Sequence, residues 1–275
     1  MSGTVQTRRR STRLASKARS AGKASAGPDL RDLPGPLLVA LLGGNEAEVA
    51  GTLAEAERRG ADLALVAREI VSPVLAEVGA LWLRGEASVA EEHLATSLIS
   101  RVLARMAARV PPPPAGAPRL LLACLAGEFH DLGLRIAAEV AREAGWEAEC
   151  LGGNVPRGCL VGFVAQRAPT AVALSLTLPA HIPEAARAIE GIRAAAPRVK
   201  VLVGGGAFRA EPELARLTGA DAFVPDSVAL RDWLRCTEAK ARGGAGTADG
   251  APCCGGLPAS MPNALRRKLG KGCRG

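Results

Sequence analysis

From about residue 34 to residue 110, apolar residues recur every three and four positions. Leu37, Leu38, Leu41 and Leu42 open the run, and Val49, Leu53 and Ala56 continue it. A third set runs from Leu63 through Leu65, Val66, Ile70, Val71, Leu75 and Val78 to Leu81. A fourth comprises Leu94, Leu98, Ile99, Val102, Leu103 and Met106. This is the period of helices with one buried face. Gly43-Gly44-Asn45, Arg59-Gly60 and Arg84-Gly85-Glu86 interrupt it and supply turns. Four antiparallel helices joined by short turns predict a bundle over 34–110. Pro111-Pro112-Pro113-Pro114 cannot continue the last helix, so 111–118 reads as a semi-rigid linker.

From 119 the pattern changes. Short apolar runs at Leu120–Leu125, Ala148–Leu151, Ala171–Leu176, Val199–Val203 and Ala222–Val224 predict five buried strands. Amphipathic stretches near 131–144, 156–167, 181–195, 210–217 and 226–235 alternate with them. The alternation predicts a doubly wound, flavodoxin-like or Rossmann-like parallel sheet over 119–237, with order 2-1-3-4-5. The fold class expected is therefore α plus α/β, a four-helix bundle followed by a five-stranded sheet.

Composition changes this picture mainly at the ends. The chain of 275 residues has a formal net charge of +8. Residues 1–27 hold Arg8, Arg9, Arg10, Arg13, Lys17, Arg19 and Lys23 and no acid, and residues 238–275 are also basic, so the body between is mildly acidic. Both ends lack apolar periodicity, and 1–33 and 238–275 read as disordered basic tails. Such tails give at most salt-sensitive, sequence-independent contact with nucleic acid. Aromatics are only 3% of the chain, too few for base-stacking readout of single strands. No apolar stretch approaches the roughly 20 residues of a membrane span, and the twin-arginine start has no apolar segment behind it. Seven irregularly spaced cysteines, three within predicted core elements, fit reduced thiols in a cytoplasm. Cys253, Cys254 and Cys273 lack the spacing of a metal site.

In a doubly wound sheet, ligands bind beyond the carboxyl ends of the strands, where strand order reverses. The loop after the first strand carries Glu128, His130 and Gly133; that after the third, Ser175 and Thr177; that after the fourth, Gly204 and Gly205. Each alone stays open. A loop histidine also serves as a cap, Ser-x-Thr often bonds its own turn, and glycines permit tight turns. Together on one edge they converge. Glu128 stands where it can take one ring proton of His130 and leave the other nitrogen for a metal. His181, at the start of the following helix, reads as a surface residue. No P-loop, dinucleotide fingerprint, nucleophile elbow or H-E-x-x-H occurs.

The set Glu128-x-His130-x-x-Gly133, Ser175-x-Thr177 and Gly204-Gly205 resembles the signature of cobalamin-binding domains, with Glu128 where Asp is commoner. The resemblance implies that His130 is the lower axial cobalt ligand. It implies that the cofactor's displaced nucleotide tail lies near Ser175, Thr177, Gly204 and Gly205.

In the bundle, Ser88 and Glu91 predict a capping box, which starts a helix at Val89. Val89, Glu92 and His93 then share one face, and Trp82 ends the helix before. By themselves these residues also fit a packed corner with a solvated edge. The pattern Trp82, nine residues, Glu92-His93 resembles the helical cap of the light-responsive CarH and LitR type of adenosylcobalamin photoreceptor. That resemblance implies that Trp82, Val89 and Glu92 surround the adenosyl group, with His93 taking the upper cobalt position after photolysis.

The MerR-type DNA-binding domain usual in those photoreceptors has no counterpart in some 33 residues. The resemblance therefore implies a regulator acting through a protein partner such as a transcription factor, or as a homo-oligomer, rather than an enzyme. Adenosylcobalamin is the expected cofactor, with methylcobalamin or hydroxocobalamin as alternatives. The rival readings are a corrinoid methyl carrier of a methyltransferase system and a light-independent sensor of vitamin level.

Overall fold

The computed structural model describes residues 27–241. Most of the N-terminal basic segment, and Cys253, Cys254 and Cys273, lie outside the described residues.

Helix α1 (Pro34–Leu42) opens on Pro34, whose fixed φ suits a first turn. Gly44, at φ 68°, turns the chain into α2 (Glu46–Arg58), where the Asn45 side chain accepts the Glu48 N–H. The helical unit reaches further back than its periodicity predicts. Leu30 and Leu33 are buried, and Arg59 holds the segment through the Asp29 carbonyl and the Asp32 carboxylate. The expected disorder to residue 33 is thus corrected for residues 27–33. Two leucines were too few to register as a period.

The third rod comprises α3 (Leu63–Val66), a π turn (Ala67–Val71) and α4 (Ser72–Leu83). Periodicity predicts one helix here, and the structure widens one turn of it. Pro73 offers no N–H, and its ring crowds the carbonyl four residues back. Ser72 accordingly bonds its N–H to Ala67 O, five back. Helix α5 (Val89–Ala107) starts on the expected capping box, with the Ser88 N–H 2.7 Å from the Glu91 carboxylate. Leu37, Leu41, Leu53, Ile70, Leu98 and Ile99 fill the centre and are sealed from solvent.

The sheet comprises β1 (Arg119–Ala123), β2 (Glu147–Cys150), β3 (Ala171–Ser175), β4 (Lys200–Gly204) and β5 (Ala222–Val224). All pairs are parallel in the order β2-β1-β3-β4-β5, so β1 and β3 meet at the switch point as predicted. Helices α6 (Leu132–Glu143), α7 (Arg157–Arg167), α8 (Ile182–Ala195) and α9 (Ser227–Ala241) make the crossovers and the closing layer. The helix expected near 210–217 is a 3-10 segment, Pro212–Thr218. Pro212 withholds a donor at its start, and the Thr218 hydroxyl bonds Ala215 O three residues back, which favours the tighter winding.

Successive β1 side chains alternate between two cores. Leu121, Ala123 and Leu125 pack toward α7 and α8, and Leu120, Leu122 and Cys124 join the other core. That second core continues without a break into the helical bundle. Polar contacts fix the junction: Arg231 pairs with Asp62 at 2.6 Å, Ser227 donates to Ala64 O, and the Leu63 N–H donates to Glu143. The bundle therefore sits on the α6 and α9 side of the sheet.

Candidate functional site

Beyond β1 the chain turns at Gly127, φ 85°, and presents Glu128-Phe129-His130 before α6 begins. The loop beyond β2 braces it. Asn154 Oδ1 accepts the Gly127 N–H at 2.9 Å, and the Asn154 N–H donates to Glu128 O at 2.8 Å. Asn154 does this at φ 56°, a left-handed conformation that asparagine tolerates.

Glu128 is the polar centre of the edge and is only 1% exposed. Its Oε1 accepts from the His130 backbone N–H at 3.1 Å and lies 2.6 Å from His130 Nδ1. Its Oε2 accepts from the Thr177 N–H at 2.7 Å and lies 3.1 Å from His181 Nδ1. Burial pushes this carboxyl up, but the donors from Thr177, His130 and His181 more than offset it, bringing it down to about 2. An ionised carboxylate only accepts, so both facing ring nitrogens carry protons. For a neutral His130 ring, that leaves the Nε2 lone pair free, with no partner among the described residues. The ring itself is well exposed.

The other sheet-edge expectations fall close by. The backbone of Thr177, rather than its hydroxyl, reaches Glu128. Ser175 pairs in register with Gly204, and the Cys124 thiol donates to His130 O at 3.8 Å. Burial, with Glu128 and Asp131 nearby, pushes that thiol up to about 12, so Cys124 is an inert filler beneath the loop. A Cβ on Gly204 would stand 2.6 Å from Val224 O, and one on Gly205 would collide with Leu176 O. These glycines let β3, β4 and β5 close up at their ends. At Gly133, by contrast, a Cβ would meet open space.

His181 departs from expectation. It is largely buried and bonded to Glu128, because Pro179–His181 forms a 3-10 turn that folds the chain back over Gly127. Sequence reading placed it at a helix start, where side chains usually face solvent. The clue was its position on the strand-three loop.

The bundle set is grouped separately. Glu92 Oε2 lies 2.5 Å from His93 Nδ1, and Thr96 Oγ1 donates to Glu92 Oε1. Trp82, Val89 and the His93 ring are exposed. Among the described residues, none of Trp82, Val89, Glu92 and His93 hydrogen-bonds the sheet edge. Among the described residues, the exposed large apolar side chains are Val39, Trp82, Leu83, Val89, Leu94, Phe129 and Leu178. All except Val39 belong to the α4–α5 corner or to the loops leaving β1 and β3.

A crevice of about 330 Å³ lies between the units, lined by Arg68, Ser72, Pro73 and Ala76 of the bundle and Arg209, Pro225 and Asp226 of the sheet. Its volume is at the low end for small-molecule sites. Sequence reading missed these residues, which no motif brings together.

Two family models, each described as a B12 binding domain, match residues 36–106 and 118–231, together more than half the chain. The chain belongs to the B12-binding-domain proteins. It is 38% identical over 134 residues to the HTH-type transcriptional repressor CarA of Myxococcus xanthus, covering 48% of this chain and 44% of that protein. To the repressor CarH of the same organism it is 31% identical over 169 residues, covering 61% and 54%. The B12-binding-domain chain thus matches about half the length of each curated relative. Its fold is like that of the monomethylamine corrinoid protein of Methanosarcina barkeri, with TM-score 0.63 and 15% identity over 76% of this chain and 100% of that one. No helix among the described residues is long and apolar enough to cross a membrane.

The Glu128 cluster is expected to make the stability of the B12-binding protein depend on acid pH. Its folded carboxyl sits at about 2 against an ordinary 4.5. The stabilisation is therefore complete above about 4.5 and fades as pH falls toward 2. Urea midpoints across that range should show this slope in the wild type and a shallower one in Glu128→Gln. Equal slopes would contradict the assignment.

Proposed function

We propose that this protein holds adenosylcobalamin between the bundle and the sheet edge and acts as a light-responsive regulator of transcription through a protein partner. The observation that carries the cofactor placement is the buttressed imidazole of His130. A cobalt ligand needs one nitrogen free and the other fixed by an acceptor, and His130 has both. The open space at Gly133 leaves room for a flat ring beside it. Ser175, Thr177, Gly204 and Gly205 flank the place for the nucleotide tail. Bound adenosylcobalamin would supply a cobalt–carbon bond that visible light breaks.

The bundle's part is to recognise the upper face. Trp82 and Val89 offer apolar surface that needs a cover, and Glu92 is oriented by Thr96 and His93. Within this reading, His93 would be the imidazole the bundle offers to the cofactor, its Nδ1 held by Glu92. A ligand moves a conformational equilibrium only by binding its states unequally, and the group lodged against Trp82 supplies that inequality. Two curated relatives being repressors supports regulation. A cytoplasmic location fits that role.

The fold likeness to a corrinoid protein favours one second reading, a methyl carrier. A carrier has no use for a second imidazole above the metal. Absorption spectra of the adenosylcobalamin-loaded protein, before and after green light, separate the two. The regulator gives a stable new spectrum in the wild type that is lost in His93→Ala. Spectra that match photolysed free cofactor in both proteins would instead favour the carrier or the vitamin-level sensor.

A further inference from the structure

We propose that His181 is a positioning residue of this site, holding Glu128 so that its other oxygen stays on the His130 ring. The inference rests on His130 being the cobalt ligand. Four donors reach the carboxylate, two on each oxygen, which fills its capacity of about four acceptor positions. Three of them come from backbone or from His130 itself. His181 is the one side chain from a different strand's loop, and it links the β3 loop to the β1 loop across the switch point.

The surroundings hold His181 firmly. Its backbone N–H donates to Leu178 O at 3.0 Å, and the next residue, Ile182, is buried in the core beneath α8. Its Nε2 lies over Gly127, where a Cβ would be 3.5 Å away. The imidazole thus fills the gap between two loops and aims Nδ1 at Glu128 Oε2. Without it, a buried lone pair loses its donor, and Oε2 is held by the Thr177 N–H alone. A glutamate's terminal torsion is broad, so the carboxylate would then turn. The His130 ring would lose the fixed acceptor that orients Nε2.

Losing an outer partner of a metal-bound histidine typically weakens metal affinity about 10–100-fold. The test measures hydroxocobalamin affinity for the wild type, His181→Phe, His181→Asn and His130→Ala. Phenylalanine fills the space without a donor, whereas asparagine restores an N–H near the position of Nδ1. His181 stands one partner beyond Glu128, so the low end of that range applies: His181→Phe should bind weaker, by up to about tenfold, with His181→Asn close to wild type. In parallel, 15N NMR of the apoprotein should find the His181 ring protonated on Nδ1.

Equal affinity in His181→Phe and the wild type, with His130→Ala much weaker, would overturn the positioning role and leave the His130 assignment standing. Equal affinity in His130→Ala and the wild type would remove that assignment and the inference with it. If His181→Phe does not fold, the wild-type NMR decides. A ring protonated only on Nε2 would overturn the proposal.

Discussion

Gly205→Ala is expected to destabilise the protein by about 3 kcal/mol or more, measured by urea denaturation without cofactor. Gly205 has φ 101° and ψ 177°, a region open essentially to glycine alone, where another residue costs about 1–3 kcal/mol. To that is added the collision of its Cβ with the Leu176 carbonyl oxygen. Relief by movement is blocked. Leu176 donates its N–H to Gly204 O and accepts the Ala207 N–H, so shifting it breaks the joint between the β3 and β4 ends. Gly133→Ala is the internal contrast. Its Cβ meets nothing and it lies within α6, so helix propensity should raise apoprotein stability by about 0.5–1 kcal/mol. The same methyl would enter the space assigned to the ring and weaken cobalamin binding. Opposite signs at two glycines of one motif would separate a folding glycine from a ligand glycine.

His130→Ala should have the largest effect on binding. The upper end of the outer-partner range, about 100-fold, is a floor for deleting the ligand itself. The cost to folding should be small, because the ring is exposed. The apoprotein loses one donor to Glu128, about 1–2 kcal/mol, while three others remain. Titration with hydroxocobalamin and a urea curve on the same variant check both halves. A variant that binds normally would remove His130 from the cobalt. One that fails to fold would give the ring a structural role its exposure does not support.

Strand order and the sheet-edge cluster were legible because both depend on local patterns. Short apolar runs between amphipathic stretches leave few topologies, and a βα loop must lie at the carboxyl edge. What escaped was set by long-range contacts. His181 sits 53 residues from Glu128, and nothing in its neighbourhood says that Pro179 turns it inward. The π turn was hidden because apolar spacing stays helical while Pro73 acts only through the backbone. The lining of the crevice comes from residues more than 130 positions apart, brought together by Asp62–Arg231 and Ser227–Ala64. The start of α5 was readable from the capping box, which fixed the phase of Val89, Glu92 and His93, whereas the bond between Glu92 and His93 themselves was not read.

Cobalamin is expected to sit on this edge with a protein imidazole in place of its own base. The most direct measurement is the EPR spectrum of the cobalt(II) form bound to 15N-labelled protein, compared with unlabelled protein. Coupling to one axial nitrogen that changes from three lines to two on labelling the protein is the predicted result. A three-line pattern unchanged by the label would mean that the cofactor's own base stays on cobalt, and would contradict the account.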